Sequence, residues 1–144
     1  ESLERIDFSR LVREQLASAS DSNSRIQLNA PEVLKVRGDT AWLARAVQNL
    51  VNNALAHSPP HSTVKLMVGR DVHGVTLTVE NSGEVIARVR ERLFRRFVTT
   101  RAKIGGSGLG LAIVRAVAEA HGGRVELLDA GPPQVVFRLT VPQA

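Results

Sequence analysis

Apolar positions along this chain follow two rhythms, one helical and one strand-like. From Asp39 to His57, residues Leu43, Val47, Leu50 and Ala54 recur at helical spacing and mark a buried side, with Asp39 placed to serve as N-cap. Arg45, Asn49, Asn52, Asn53 and Ala56 fall on the other side. Gly108–His121 predicts a second strong helix, with Leu109, Ile113, Ala116, Val117 and Ala120 on one face and Gly122-Gly123 ending it. Ile6–Ala19 is also amphipathic, through Phe8, Leu11, Val12 and Leu16, and the polar run Ser20–Ser24 breaks it. Val64, Leu66 and Val68 alternate, as do Val75, Leu77 and Val79, with Asp71–Gly74 as the turn; this predicts a hairpin with one buried face. Ile26–Asn29 and Leu34–Arg37 are short strand candidates flanking Pro31. Val125–Leu128 and Val135–Val141 form a closing hairpin across Gly131-Pro132-Pro133. Residues 81–106 lack a clean period apart from a short helix near Ala87–Phe94, and loops of that length are usually functional or mobile. The pattern predicts an α/β sandwich.

Two stretches carry candidate chemistry. Gly106, Gly108 and Gly110 alternate around Ser107 and Leu109, directly before a helix. Glycines let a backbone approach a ligand closely, and a helix N-terminus offers free N–H groups and the positive end of the macrodipole. Together these suit a phosphate, although a tight turn packing a helix on a sheet would use the same residues. On the helix before, Asn49, Asn52 and Asn53 fall within five positions, and Asn49 and Asn53 stand one turn apart. Asparagine is a mediocre helix former, so the cluster is either a solvated face or a set of neutral oxygen ligands. Mg²⁺ favours hard oxygens and keeps waters and phosphate oxygens as co-ligands.

At 144 residues the chain is long enough for one domain with a real core. It has no cysteine, which excludes a disulfide framework and thiol chemistry. No apolar run reaches transmembrane length and no signal peptide is visible. The first residue is Glu1, so the expectation is a piece of a longer protein. The net charge of +5 is uneven: residues 88–103 hold Arg88, Arg90, Arg92, Arg95, Arg96, Arg101 and Lys103 against the single acid Glu91. A solvated basic loop, a triphosphate-attracting lid or a docking site for an acidic partner would each explain this. A nucleic-acid face is disfavoured, because Phe94 and Phe97 are the only aromatics there and form no stacking platform.

Four motifs, in order, carry a resemblance. Asn49–Ser58 and Gly105–Leu111 are similar to the N box and G2 box of the histidine kinase ATP-binding domain, in the GHKL ATPase superfamily with its Bergerat fold. Leu93–Arg101 resembles the F box and the start of the ATP lid, and Val79–Ile86 resembles a degenerate G1 box. The resemblance implies a two-layer α/β sandwich: a mixed, mostly antiparallel sheet, helices packed on one face and a mobile ATP lid. It implies residues 1–20 as a lead-in helix from a preceding dimerisation domain and 21–144 as the ATP-binding kinase domain.

The roles it implies are specific. Asn53 is the Mg²⁺ ligand and Asn49 helps hold the phosphates. Asn81 stands where the family has an Asp that accepts from the adenine amino group; its carbonyl still accepts, without charge assistance. Gly83 keeps the backbone close to the base, and Val85 replaces a second glycine, stiffening that loop. Ala56 replaces a phosphate-contacting Lys, and Arg101 of Thr99-Thr100-Arg101 supplies charge in its place. His57 either stacks near the adenine or serves as a cation at the helix end. Gly106, Ser107, Gly108, Leu109 and Gly110 line the phosphates, while Phe94 and Phe97 anchor the lid. His61, His73 and His121 are structural or solvated, and none sits in a phosphoacceptor context, so this segment holds no catalytic residue of its own. Gyrase-type relatives carry a general-base Glu at the position of Asn49, and Asn cannot take that proton. The resemblance thus implies a histidine protein kinase domain holding ATP and Mg²⁺ for transfer to a His on its own dimerisation domain and then to a response-regulator receiver Asp. The expected whole is a homodimeric bacterial sensor, anchored in the inner membrane only through segments outside this sequence, with this domain cytoplasmic and no nucleic-acid partner. Alternatives are a pseudokinase that binds nucleotide weakly, suggested by Asn81, Val85 and Ala56, and an anti-sigma-type Ser/Thr kinase, disfavoured by Asn49.

Overall fold

A computed structural model describes residues 3–17, 25–30, 32–91, 93–94 and 110–144. Strand β1 (Glu4–Asp7) leads into helix α1 (Phe8–Ala17). Strands β2 (Ile26–Asn29) and β3 (Lys35–Gly38) precede the long helix α2 (Thr40–Ala56). The hairpin β4 (Val64–Asp71) and β5 (Gly74–Ser82) follows, then a single turn α3 (Ala87–Arg90), helix α4 (Gly110–Ala120) and the hairpin β6 (Arg124–Ala130) and β7 (Gln134–Val141). Five strands form one sheet in the order β2-β4-β5-β7-β6, and β1 and β3 make a separate antiparallel pair. Only β2 runs parallel to its neighbour, with Ile26 opposite Val64; the other pairings in the sheet are antiparallel. The expected mixed, mostly antiparallel sandwich is what forms.

Alternation explains the layers. Val64, Leu66 and Val68 of β4, Val75, Leu77 and Val79 of β5, and Val135, Phe137, Leu139 and Val141 of β7 are buried on the side that meets the helices. Lys65 and Met67 project the other way into solvent. Helix α2 buries Leu43, Ala46, Val47, Leu50, Val51 and Ala54, the side its spacing predicts. Its N-cap is Asp39, whose carboxylate accepts from the Trp42 N–H at 3.1 Å. Helix α4 buries Leu111, Val114, Val117 and Ala118 and packs against α2. Ile113 is only half-buried and Ala116 and Ala120 are exposed, so the buried stripe sits one position round from the one the spacing indicates.

The N-terminal unit belongs to the same core. Phe8, Leu11, Val12 and Leu16 are buried with α2 and the sheet, and the Phe8 N–H donates to the Leu34 carbonyl at 2.8 Å. Residues 4–7 pair with β3 in register Glu4↔Gly38 to Asp7↔Lys35, so the helical pattern that reads from Ile6 begins two residues later, at Phe8. The helix near Ala87–Phe94 is shorter than its pattern suggests and stops at Arg90. Among the described residues no helix is long and apolar enough to cross a membrane.

Candidate functional site

Helix α2 packs against both α4 and β5. Asn49 and Asn53 lie on the half-buried flank of α2. The Asn49 Nδ2 donates to the carbonyl of Gly110, the first residue of α4, at 3.2 Å. That bond ties the middle of α2 to the start of α4 and leaves the Asn49 Oδ1 outside the tie. The Asn53 carboxamide makes no hydrogen bond to a described residue; only its backbone carbonyl is used, by the His57 N–H at 3.1 Å. A Cβ on Gly110 would meet no described atom within 4 Å, so glycine there is not demanded by packing. It leaves room at the N-terminus of α4, where N–H groups and the helix dipole favour an anion.

The second part of the site is pinned by backbone. Asn81 is 2 % exposed, and its Nδ2 donates to the Ser82 carbonyl at 2.9 Å. With Nδ2 committed, Oδ1 is the group left to accept. Among the described residues no side-chain nitrogen or oxygen is sealed from solvent without a partner, so this oxygen stays reachable. Gly83 has φ +151, and a Cβ there would stand 3.3 Å from the His57 carbonyl and 3.5 Å from the Asn81 Nδ2. The positive φ favours glycine here, and the close approach of the His57 carbonyl leaves little room for a side chain. The Gly83 N–H donates to the Pro133 carbonyl at 2.9 Å, and the Val85 N–H to the Ala130 carbonyl at 2.7 Å. Arg90 Nε closes the segment on the Val85 carbonyl at 2.8 Å. Val85 adopts no positive φ and packs partly buried against the core, so losing a glycine there costs no strain.

His57 is the C-cap of α2. Its side chain is exposed, and its carbonyl, through the contact with Gly83, helps shape the site. Leu93 is buried, and Phe94 meets Phe137 edge-to-face at 6.0 Å, which anchors the start of the F-box-like stretch on the sheet. Thr99, Thr100, Arg101, Gly106, Ser107, Gly108 and Leu109 lie outside the described residues, as does Phe97. Of the other histidines, His61 and His73 are exposed turn residues. His121 is structural: Nδ1 donates to the Val117 carbonyl at 2.7 Å and Nε2 accepts the Asp39 N–H at 3.0 Å. These bonds select the Nδ1–H tautomer and tie the C-terminus of α4 to the N-cap of α2. Sequence reasoning missed the brace from Ala130–Pro133, because the Gly131-Pro132-Pro133 signal indicates a hairpin turn but not what the turn touches.

The donor set suits Mg²⁺ better than a transition metal. Among the described residues no group of three His, Cys, Asp or Glu side chains is placed to hold a metal. What the site offers is an Asn53 carboxamide that bonds to no described residue, on the same helix as the Asn49 that reaches the start of α4; a single neutral oxygen of this kind leaves most coordination positions to phosphate and water.

Residues 38–144 match the family described as histidine kinase-, DNA gyrase B- and HSP90-like ATPase. The chain belongs to this ATPase family. Among curated relatives of these ATPases, it is 34% identical over 146 residues to the sensor-like histidine kinase SenX3 of Mycobacterium tuberculosis, covering 95% of this chain and 36% of SenX3. It is 32% identical over 135 residues to the sensor protein KdpD of Clostridium acetobutylicum, covering 90% of this chain and 15% of KdpD. The chain therefore spans little more than a third of these relatives at most. Among solved ATPase domains, the mycobacterial sensor histidine kinase MprB superposes with a TM-score of 0.77 at 30% identity, covering 98% of this chain and 99% of that one. The catalytic domain of histidine kinase ThkA gives a TM-score of 0.84 at 26% identity, covering 99% and 97%.

Proposed function

We propose that this chain is the ATP-binding catalytic domain of a two-component sensor histidine kinase. The observation that carries this reading is the Asn53 carboxamide on α2, bonded to no described residue and one turn from the Asn49 that bonds the start of α4, in a member of this ATPase family. Asn53 would hold Mg²⁺, which supplies charge neutralisation at the phosphates. Asn49 and the α4 N-terminus, with Gly106, Ser107, Gly108, Leu109 and Gly110 before and at its start, would cradle the phosphate chain. Asn81 would accept from the adenine amino group through Oδ1, with Gly83 keeping the backbone close to the base. His57 would flank the base, and Thr99, Thr100 and Arg101 would belong to the lid.

Phosphoryl transfer needs positioning and charge neutralisation more than a covalent contribution from protein. Asn49 cannot act as a general base toward water, so the domain would hold ATP for an acceptor brought to it instead of hydrolysing it. That acceptor would be a His on the protein's own dimerisation domain, which residues 1–20 would follow in the whole kinase. A response-regulator receiver domain would take the phosphoryl group next. The full protein would be a homodimer, anchored at a membrane through segments outside this sequence, with this domain in the cytoplasm. The pseudokinase reading rests on Asn81, Val85 and Ala56, but Asn81 retains an acceptor and Val85 is accommodated without strain.

Calorimetric titration with a non-hydrolysable ATP analogue, with and without Mg²⁺, tests the reading. The expected outcome is Mg²⁺-dependent binding with Kd between roughly 1 μM and 1 mM. Absence of binding in Mg²⁺ overturns it.

A further inference from the structure

Arg25, just before β2, reaches across to the end of α2. Its Nε donates to the Ser62 carbonyl at 3.0 Å. One terminal nitrogen donates to the Leu55 carbonyl at 3.4 Å. The other is shared among the Ser58 Oγ at 2.7 Å, the Pro59 carbonyl at 3.0 Å and the Ser62 Oγ at 3.3 Å. Every nitrogen of the fork is engaged, and every acceptor lies within residues 55–62. The acceptors bracket Ala56 and His57 on both sides. A guanidinium is suited to this task, because its planar fork fixes several acceptors at once and its charge complements a helix C-terminus.

The segment it holds is the wall of the nucleotide site. The His57 carbonyl packs on Gly83, whose neighbour Asn81 carries the free acceptor. The His57 N–H closes the last turn of α2 on Asn53. Beyond residue 57 the chain turns through Pro59, Pro60 and His61, and His61 has a left-handed φ of 70. Arg25 clamps this turn from across the chain, beside local bonds from the Ser58 and Ser62 hydroxyls and the Ser62 N–H. Side chains that touch nothing at the reacting centre still control affinity when they fix the geometry of those that do.

We infer that Arg25 is a positioning residue for nucleotide binding: by clamping the loop after α2, it sets the distance between the His57–Asn53 turn and the Gly83–Asn81 strand end. The inference rests on the ATP-binding reading above. Leverage comes from number and geometry of bonds more than from charge, so lysine, with three donors on a flexible stem, is a poor substitute.

The test is titration of the wild-type domain, Arg25→Lys, Arg25→Ala and Ser58→Ala with the ATP analogue in Mg²⁺, at a temperature where circular dichroism shows each folded. Arg25→Lys is expected to weaken binding about fivefold, Arg25→Ala about tenfold or more and Ser58→Ala about twofold. In ¹H–¹⁵N spectra without nucleotide, the Gly83 and His57 amides should shift in all three variants. Methylguanidinium should restore part of the affinity of Arg25→Ala, which a general loss of stability would not permit. Ser58→Ala removes one acceptor at the surface of the turn and keeps the test readable if Arg25→Ala fails to fold. Equal affinity for all folded variants, or unmoved Gly83 and His57 amides, overturns the inference while leaving the ATP-binding reading intact. Failure of the wild type to bind overturns that reading, and this inference with it.

Discussion

The two ends of the candidate site are built in opposite ways. Toward the start of α4 the site holds groups in reserve: Asn49 spends its amide on Gly110, but the Asn53 carboxamide bonds to no described residue and a Cβ on Gly110 would meet no described atom. At the end of β5 almost every group is committed. Gly83 and Val85 are pinned to the β6–β7 turn, Arg90 closes the Val85 carbonyl, and Asn81 gives its amide to Ser82. On the proposed reading, the first end would meet a flexible, charged phosphate chain and keeps a carboxamide in reserve. The second would read a flat base and is held rigid, with the Asn81 Oδ1 left to accept. The departures from the family pattern at Asn81 and Val85 both lie at the rigid end, where neighbouring bonds absorb them.

This contrast breaks most decisively at Asn53. Asn53→Ala is expected to remove Mg²⁺-dependent binding of the ATP analogue while the melting temperature moves by less than about 2 °C, since no described bond is lost. Retained affinity in calorimetry would show that the reserve at the phosphate end is not used. Gly83→Ala should cost about 1–3 kcal/mol of stability in urea melts, through its positive φ and the His57 carbonyl in the way of the new Cβ. An unchanged melt would mean the strand end is slack. Val85→Gly should cost about 1 kcal/mol, from lost packing and added chain entropy, and change ATP affinity less than about twofold. A large change in affinity would place Val85 in contact with the base. Asn81→Asp gives an effect of similar size and the most informative one: ATP binding tightens by about 1 kcal/mol in titration, while the free domain loses a comparable amount because a carboxylate now faces the Ser82 carbonyl. Weaker binding would mean that the adenine is read elsewhere.

Much of the fold was legible because its periods are clean. Helix α2 begins at its Asp39 cap, and the β4–β5 hairpin turns at Asp71–Gly74 as its alternation implies. Strand β1 was hidden, because Glu4–Asp7 runs unbroken into a helical pattern and is extended only through pairing with β3, some thirty residues on. The parallel β2–β4 pairing was equally invisible, since a four-residue strand carries no signal of its neighbour. Asn49, Asn53, Asn81 and Gly83 could be picked out because each falls at a motif position. Arg25 could not: in the sequence it is one cation beside a polar stretch, and its partners lie thirty or more residues away. The braces of a site are written in tertiary contacts, whereas its ligand-facing residues are written in local spacing.

One small contact also reaches beyond this molecule. A Cβ on Gly38 would stand 2.5 Å from the His121 ring and 2.9 Å from Leu43, and that ring is held in place by bonds to Asp39 and Val117. Positions 38 and 121 are therefore expected to change together over generations. A lineage that acquires a larger residue at 38 must turn aside or give up the imidazole at 121, and with it the bond from the Asp39 N–H. Across the family the two sites should be inherited as a pair, so that a missing glycine at one announces a missing histidine at the other.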